Sequence, residues 1–196
     1  MSDTFLQQRQ ATYKTTPQDL QAIMSAVMNE DIAEELPITP GYSNEVHLLK
    51  TSKGKELIVR IDQHNVIGFG QEAWAMQRAK SLGVSVPHIY DVRQFEIVGE
   101  LKNIMVMQKV EGRPLSEMQS FEPAHFQHVC EQLGAILSKL QSQTVEGFGR
   151  PKANNEWEFG NWQDYLAATL QQREKDVPYL VQAGLTQIEA AQMLAI

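Results

Sequence analysis

The feature that most constrains this chain is a short apolar strand that contains a single arginine and is followed, after a loop, by a helix. Alternation along the strand places Leu57, Val59 and Ile61 on one face and Ile58 and Arg60 on the other. Arg60 therefore stands where an apolar side chain is expected. An arginine in such a position needs an anionic partner or an exit to solvent.

The helix that follows carries an isolated charge of its own. Glu72 lies one turn before Ala75, on the apolar stripe of this helix. A buried, unpaired charge costs several kcal/mol, so two opposite charges on neighbouring elements are stabilised when they meet. We therefore predict an ion pair between Arg60 and Glu72. The alternative is that Arg60 reaches the sheet edge through its alkyl stem and that Glu72 only favours a helix N-terminus.

Length and charge limit the classes of function. At 196 residues and 42% hydrophobic, the chain can form one domain or two small lobes. The formal net charge of −7 and the scattered lysines and arginines argue against a nucleic-acid partner and against an anionic membrane surface. The single cysteine, Cys130, excludes an internal disulfide. With a polar N-terminus and no apolar segment of membrane-spanning length, the sequence predicts a cytoplasmic protein.

The first third of the chain combines one helix with a meander of strands. Thr16 followed by proline predicts the start of an amphipathic leading helix, and the acidic stretch 30–35 is interpreted as its solvated tail. The segment Ile38–Ile61 alternates like a strand meander. Its first turn is predicted at Gly41–Asn44 and its hairpin turn at Lys53–Lys55.

Two further strands are predicted at Ile89–Val92 and Ile104–Met107, as an antiparallel pair. After Gly112 and Pro114 almost all of the pattern is helical. The segment Phe126–Leu140 has the most regular apolar spacing in the chain and predicts a helix of about four turns.

The last third contains one thiol and several helix signals. Cys130 lies on the apolar stripe of the predicted helix, so we expect a buried structural thiol and not a nucleophile. The segment 147–159 is predicted to be a loop, and Asn161 is predicted to cap the next helix. Thr186 and Glu189 form a capping-box pattern only seven residues before the last residue. We therefore expect the sequence to end inside its architecture.

The motifs, taken in order, resemble the aminoglycoside phosphotransferase and choline kinase-like family over about Ile38 to Tyr165. Each motif is weak alone, and their ordered set is specific. The resemblance is carried by 41–46 (GYSNEV), 57–61 (LIVRI), Glu72, 83–87 (GVSVP), 105–112 (MVMQKVEG), 133–134 (LG) and 147–149 (GFG).

The resemblance implies an α+β fold with a protein kinase-like N-lobe, consisting of a small antiparallel sheet plus one helix. An incomplete helical C-lobe would follow this N-lobe. The implied domains are residues 1–36 as an N-terminal helical extension, 37–112 as the N-lobe with its hinge, and 113–196 as a partial C-lobe that lacks the catalytic loop.

The resemblance also implies a nucleotide site that binds ATP. The turn with Gly41, Ser43 and Asn44 would cover the phosphates. Arg60, held by Glu72, would neutralise phosphate charge.

The adenine ring would lie at the hinge, for which the alternative is an ordinary strand end. The implied hinge residues are Gln108, Lys109 and Val110. The implied walls of the adenine pocket are Ile38, Val46, Ile58 and Met107.

The chain departs from the family at the catalytic centre. The family's His-x-Asp, with an asparagine soon after it, does not occur, and no aspartate stands in the context of the metal-binding triplet. We therefore assign no catalytic residue and no metal ligand. Mg²⁺ is expected only in a full-length form.

The resulting hypothesis is the nucleotide-binding part of an ATP-dependent phosphotransferase that acts on a small-molecule hydroxyl and is inactive by itself. The small-molecule acceptor would bind only if the full C-lobe is present, and an aminoglycoside, choline, a sugar or an amino alcohol would all be compatible. Self-association through exposed C-lobe surface is a further expectation. The alternative is a non-catalytic nucleotide-sensing or protein-interaction module, or an inert product of a truncated gene.

Overall fold

The computed structural model describes residues 13–38, 44–62, 68–112, 122–152 and 156–194. It divides after Ser142 into two compact units. The helices are α1 (Pro17–Met28), α2 (Gly70–Ser81), α3 (Pro123–Gln141), α4 (Trp162–Gln182) and α5 (Gln187–Leu194). The strands are β1 (Ile32–Leu36), β2 (Glu45–Thr51), β3 (Glu56–Asp62), β4 (Ile89–Ile97), β5 (Glu100–Gln108), β6 (Phe148–Pro151) and β7 (Trp157–Phe159).

Helix α1 begins as the sequence predicts. The Thr16 hydroxyl accepts a hydrogen bond from the Asp19 amide, and the Asp19 carboxylate accepts one from the Thr16 amide. The helix ends at Asn29, whose left-handed backbone (φ 53°) stops the helical path. Its apolar stripe, led by Leu20, Ile23 and Met24, is buried.

The acidic stretch after α1 is an edge strand, which corrects its interpretation as a helical tail. Residues 32–36 pair antiparallel with β2, and Leu36 stands opposite Leu48. Glu34 and Glu35 are exposed on this strand. Because Asn29 has already ended the helix, the chain reverses and pairs with β2. An edge strand has only one neighbour and tolerates charged side chains.

The five strands of the first unit form one antiparallel sheet in the order β1-β2-β3-β5-β4. Alternation along β3 is confirmed: Leu57, Val59 and Ile61 are fully buried, whereas Ile58 and Arg60 are partly exposed. The buried face packs against α1. Its core consists of Leu20, Ile23, Met24, Leu49, Leu57, Val59, Ile61, Ile97, Ile104 and Val106.

Helix α2 follows β3 after residues 63–67, which lie outside the described part of the chain. Its stripe is only partly covered, since Ala79 is buried but Ala75 is exposed. Gly83, with φ of 70°, lies just past its C-terminus, where the left-handed backbone that ends a helix favours glycine.

Helix α3 contains the predicted segment and extends beyond it at both ends, but none of its residues is buried. Cys130 is exposed, which corrects the expectation of a buried thiol. The periodic spacing identified the apolar face of the helix, but within the first unit the described residues leave most of that face exposed. As expected, this leaves apolar side chains exposed, including Phe126, Leu133 and Leu137.

The second unit contains a short hairpin and two helices. Strands β6 and β7 pair antiparallel, which corrects the predicted loop at 147–159. The Asn161 side chain caps α4 by accepting a hydrogen bond from the Asp164 amide at 2.9 Å. Thr186 and Glu189 form the predicted capping box of α5. Within the described ranges, no helix combines the length and the apolar character that crossing a bilayer requires.

Candidate functional site

The two faces of the sheet have different compositions. The face opposite α1 carries two rows of side chains that the register brings together across three strands. Val46, Arg60 and Met105 form one row. Leu48, Ile58 and Met107 form the next.

The candidate pocket walls occupy both rows. Three of the four predicted walls, Val46, Ile58 and Met107, therefore share a face with Arg60 and lie beside it. The fourth, Ile38, follows β1 and is 37% exposed.

Arg60 and Glu72 form the predicted ion pair. The Arg60 Nη1 group donates a hydrogen bond to Glu72 Oε1. The two side chains are 22% and 37% exposed, so the pair is only partly removed from water. Glu72 lies in the first turn of α2, where the helix dipole also favours a negative charge.

Two residues that the sequence analysis did not assign to the site also lie next to Arg60. The Arg60 guanidinium carbon lies 4.9 Å from the centroid of the Phe69 ring. Arg60 Nη1 also lies 4.0 Å from the sulfur of Met105, which is fully buried. Phe69 belongs to no periodic pattern, so its only sequence signal is an aromatic residue directly before a helix.

The predicted hinge is tied to the strand beside it. The Gln108 amide donates to the His88 carbonyl at 2.7 Å, and the Gln108 side-chain oxygen accepts from the His88 amide at 3.3 Å. The Gln108 amide is thus already engaged. No backbone hydrogen bond is found at the amides of Lys109 or Val110 among the described residues.

Lys109 is held by a carboxylate of the neighbouring strand. Its Nζ group donates to Glu56 Oε2, and Glu111 lies 3.7 Å away on the other side. The hydrogen bond from Lys109 lowers the pKa of Glu56, and the same bond raises the pKa of Lys109. Both carboxylates lie within ion-pair distance of this ammonium, so the Lys109 side chain is occupied by Glu56 and Glu111.

A cleft of about 460 Å³ opens at the hinge end of the sheet. Gln108 and Lys109 line it, but Arg60 and Glu72 do not. Its other lining residues are Gly54, Lys55, Glu56, Tyr90 and Glu111.

The predicted phosphate turn lies partly outside the described residues. Gly41 and Ser43 lie outside the described residues, whereas Asn44 is described and directly precedes β2. Val46, two residues later, pairs with Arg60. The register thus brings the end of the predicted turn to the strand position beside Arg60.

A second polar cluster lies on the opposite face of the sheet and was not predicted. His47 accepts or donates through both ring nitrogens, to Glu35 at 2.6 Å and to Glu45 at 2.8 Å. Thr15, just before α1, donates to the other oxygen of Glu45 at 2.9 Å. Burial by itself lowers the pKa of His47, but the hydrogen bonds to Glu45 and Glu35 outweigh it and raise that pKa.

The second unit has a cleft of about 850 Å³ that no sequence motif indicated. The β6–β7 hairpin and α4 line it with aromatic and charged side chains, including Phe159, Tyr165, Arg150, Glu158 and Lys175. In the described ranges, no group of three or more His, Cys, Asp or Glu side chains is arranged to hold a metal ion.

Comparison with known proteins adds structural neighbours and no sequence relatives. No family model and no curated protein matches the sequence. The crystal structure of aminoglycoside phosphotransferase APH(4)-Ia superposes with a TM-score of 0.58 and 17% identity, over 91% of this chain and 57% of that chain. The chain shares the protein kinase-like fold.

A second neighbour is a protein described as a fructosamine-3-kinase from Thermobifida fusca. It has a TM-score of 0.48 and 14% identity, and the match covers 88% of this chain and 57% of that chain. Only the first neighbour is similar enough to carry a statement about the fold. The chain therefore spans a little over half the length of the protein kinase-like structure that it matches.

Proposed function

We propose that this chain is the nucleotide-binding part of an ATP-dependent phosphotransferase that acts on a hydroxyl of a small molecule. The observation that carries the proposal is the Arg60–Glu72 ion pair beside the apolar side chains of Val46, Ile58 and Met107. A base needs an apolar slot, and its phosphates need a fixed cation beside that slot. The protein kinase-like fold supports the same assignment.

The residues have separate roles in this proposal. Arg60 neutralises phosphate charge, and Glu72 fixes its orientation so that no reorganisation is needed when the nucleotide arrives. The amides of Lys109 and Val110, which make no backbone hydrogen bond within the described ranges, are the proposed donors to the adenine edge, because the Gln108 amide is engaged by His88.

The proposal also concerns the turn that would cover the phosphates and the residues that would bind the acceptor. Asn44 and the preceding Gly41 and Ser43 are proposed to cover the phosphates. The chain carries no His-x-Asp motif. We therefore assign no residue of this chain to orient the acceptor hydroxyl. We also assign none as a ligand for Mg²⁺. The proposed chain therefore binds nucleotide without transferring a phosphoryl group by itself.

Thermal unfolding with and without Mg-ATP tests the proposal. A ligand that binds only the folded state raises its stability by about 2.7 kcal/mol at one hundred times the dissociation constant. We expect ATP to raise the melting temperature of the wild type, and to raise that of Arg60→Ala much less. Arg93→Ala is the matched control, since Arg93 is an exposed arginine of β4 paired with Asp91. Equal shifts in the wild type and Arg60→Ala would contradict the proposal.

A further inference from the structure

The guanidinium of Arg60 makes two different kinds of contact, one polar and one with an aromatic ring. One edge is engaged, because both of its polar contacts, with Glu72 and with Met105, are made through Nη1. The other contact is with an aromatic ring, because the guanidinium carbon lies over the Phe69 ring, 4.9 Å from its centroid. Phe69 is itself only 4% exposed and is therefore fixed in place.

The other nitrogens of Arg60 make no contact that the described part of the chain accounts for. Among the residues that the structure describes, neither Nε nor Nη2 has a hydrogen-bond partner. A guanidinium has five N–H donors in one plane, and Nε and Nη2 together form an edge of that plane to which Nη1 does not belong. The direction of these N–H donors depends on how the guanidinium plane is tilted. A hydrogen bond through Nη1 alone allows the guanidinium to rotate about that bond.

We propose that Phe69 is a positioning residue that sets the plane of the Arg60 guanidinium and thereby directs its unengaged N–H donors toward an anionic ligand. This inference rests on the proposed function, because the anion is taken to be the phosphate chain of the nucleotide. Stacking on an aromatic face fixes a planar cation, which a carboxylate contact alone does not do. Glu72 fixes one edge of the group, and Phe69 fixes its tilt.

The inference makes arginine and lysine unequal at position 60. A lysine ammonium keeps the charge and can still approach Glu72, but it has no plane for the ring to orient and no second donor edge. Arg60→Lys should therefore weaken ATP binding, and removal of the Phe69 ring should have little further effect in that variant.

A structural role for Phe69 would also explain its burial, so the test must separate the two roles. Calorimetry of Mg-ATP and of adenosine, on the same folded variants, does this because adenosine carries no phosphate. Phe69→Leu and Phe69→Met both remove the ring, and whichever remains folded gives the measurement. Phe69→Tyr keeps the ring face and serves as the rescue variant.

We expect loss of the ring to weaken ATP binding about three- to tenfold and to change adenosine binding by less than about twofold. Phe69→Tyr should retain wild-type affinity for ATP. Equal losses for ATP and adenosine, or unchanged ATP affinity without the ring, would overturn the inference. A wild type that binds neither ligand would refute the proposed function itself, which is a distinct outcome.

Discussion

The Arg60 guanidinium on β3 donates a hydrogen bond to the carboxylate of Glu72 in α2, twelve residues later in the chain. The pair joins the central region of the sheet to the helix that follows it. Helix α2 buries little of its own surface, with Ala79 as its buried residue. The ion pair is therefore a specific link that helps to place this helix.

The first prediction concerns the strength of this link. We expect a double-mutant cycle with Arg60→Met and Glu72→Gln to give a coupling energy of about 1 kcal/mol, because the pair is only partly exposed. Urea unfolding of the wild type, both single variants and the double variant measures it. Strictly additive losses of free energy would contradict a direct interaction.

The second prediction concerns pH. The pKa of His47 is raised in the folded protein by its two carboxylate partners, so the folded state binds its proton more tightly than the unfolded state does. This stabilisation is complete below the unfolded value of 6.5 and is lost as the pH rises through the folded pKa. We expect the free energy of unfolding to fall over that interval in the wild type.

His47→Gln should remove this pH dependence. His88→Gln is the matched control, since the His88 side chain is exposed, its ring meets the Tyr90 ring edge-on, and its hydrogen bonds with Gln108 use backbone atoms that glutamine keeps. Unfolding in denaturant from pH 6 upward, in buffers spaced by about half a pH unit, measures the slope for all three proteins. The same slope in His47→Gln and the wild type would show that another group is responsible.

The third prediction concerns the core. Leu57 is fully buried in the central strand β3, so Leu57→Ala should lower the free energy of unfolding by about 2–5 kcal/mol. Leu101 on β5 is 57% exposed, and Leu101→Ala should change it by less than about 0.5 kcal/mol. Similar losses in both variants, measured by denaturant unfolding, would argue against the assigned register.

The fourth prediction concerns the hairpin of the second unit. A Cβ atom at Gly147 would overlap the side chain of Trp157, so Gly147→Ala should destabilise this unit by about 1–3 kcal/mol. Gly134 in α3 has open space around it, and Gly134→Ala should stabilise by up to about 1 kcal/mol. Limited proteolysis and thermal unfolding should show that Gly147→Ala lowers stability relative to the wild type and that Gly134→Ala raises it. A change of stability in the same direction in both variants would be inconsistent with the packing of Trp157.

The sequence predicted those elements that a buried face constrains. Strand β3 alternates because one of its faces packs on α1, and the charge pattern of Arg60 and Glu72 predicted their contact. Local capping chemistry predicted the start of α1 at Thr16 and of α4 at Asn161. In each case the signal is contained in residues that lie close together in sequence.

Features set by distant partners were not predictable. The strand Ile32–Leu36 is acidic because an edge position places few demands on composition. The exposure of Cys130 depends on what covers α3, which periodicity does not encode. The stacking of Phe69 on Arg60 and the clamping of His47 between Glu35 and Glu45 depend on tertiary geometry.

The alternation along β3 assigns packing and recognition to alternate residues of one strand. Odd-numbered positions from Leu57 to Ile61 face the interior, whereas Ile58 and Arg60 face the proposed ligand. Variant libraries confined to the even positions would sample new recognition properties while leaving the hydrophobic interior untouched. The same spacing would allow substitutions on the exposed face to change the ligand while the buried face keeps its packing.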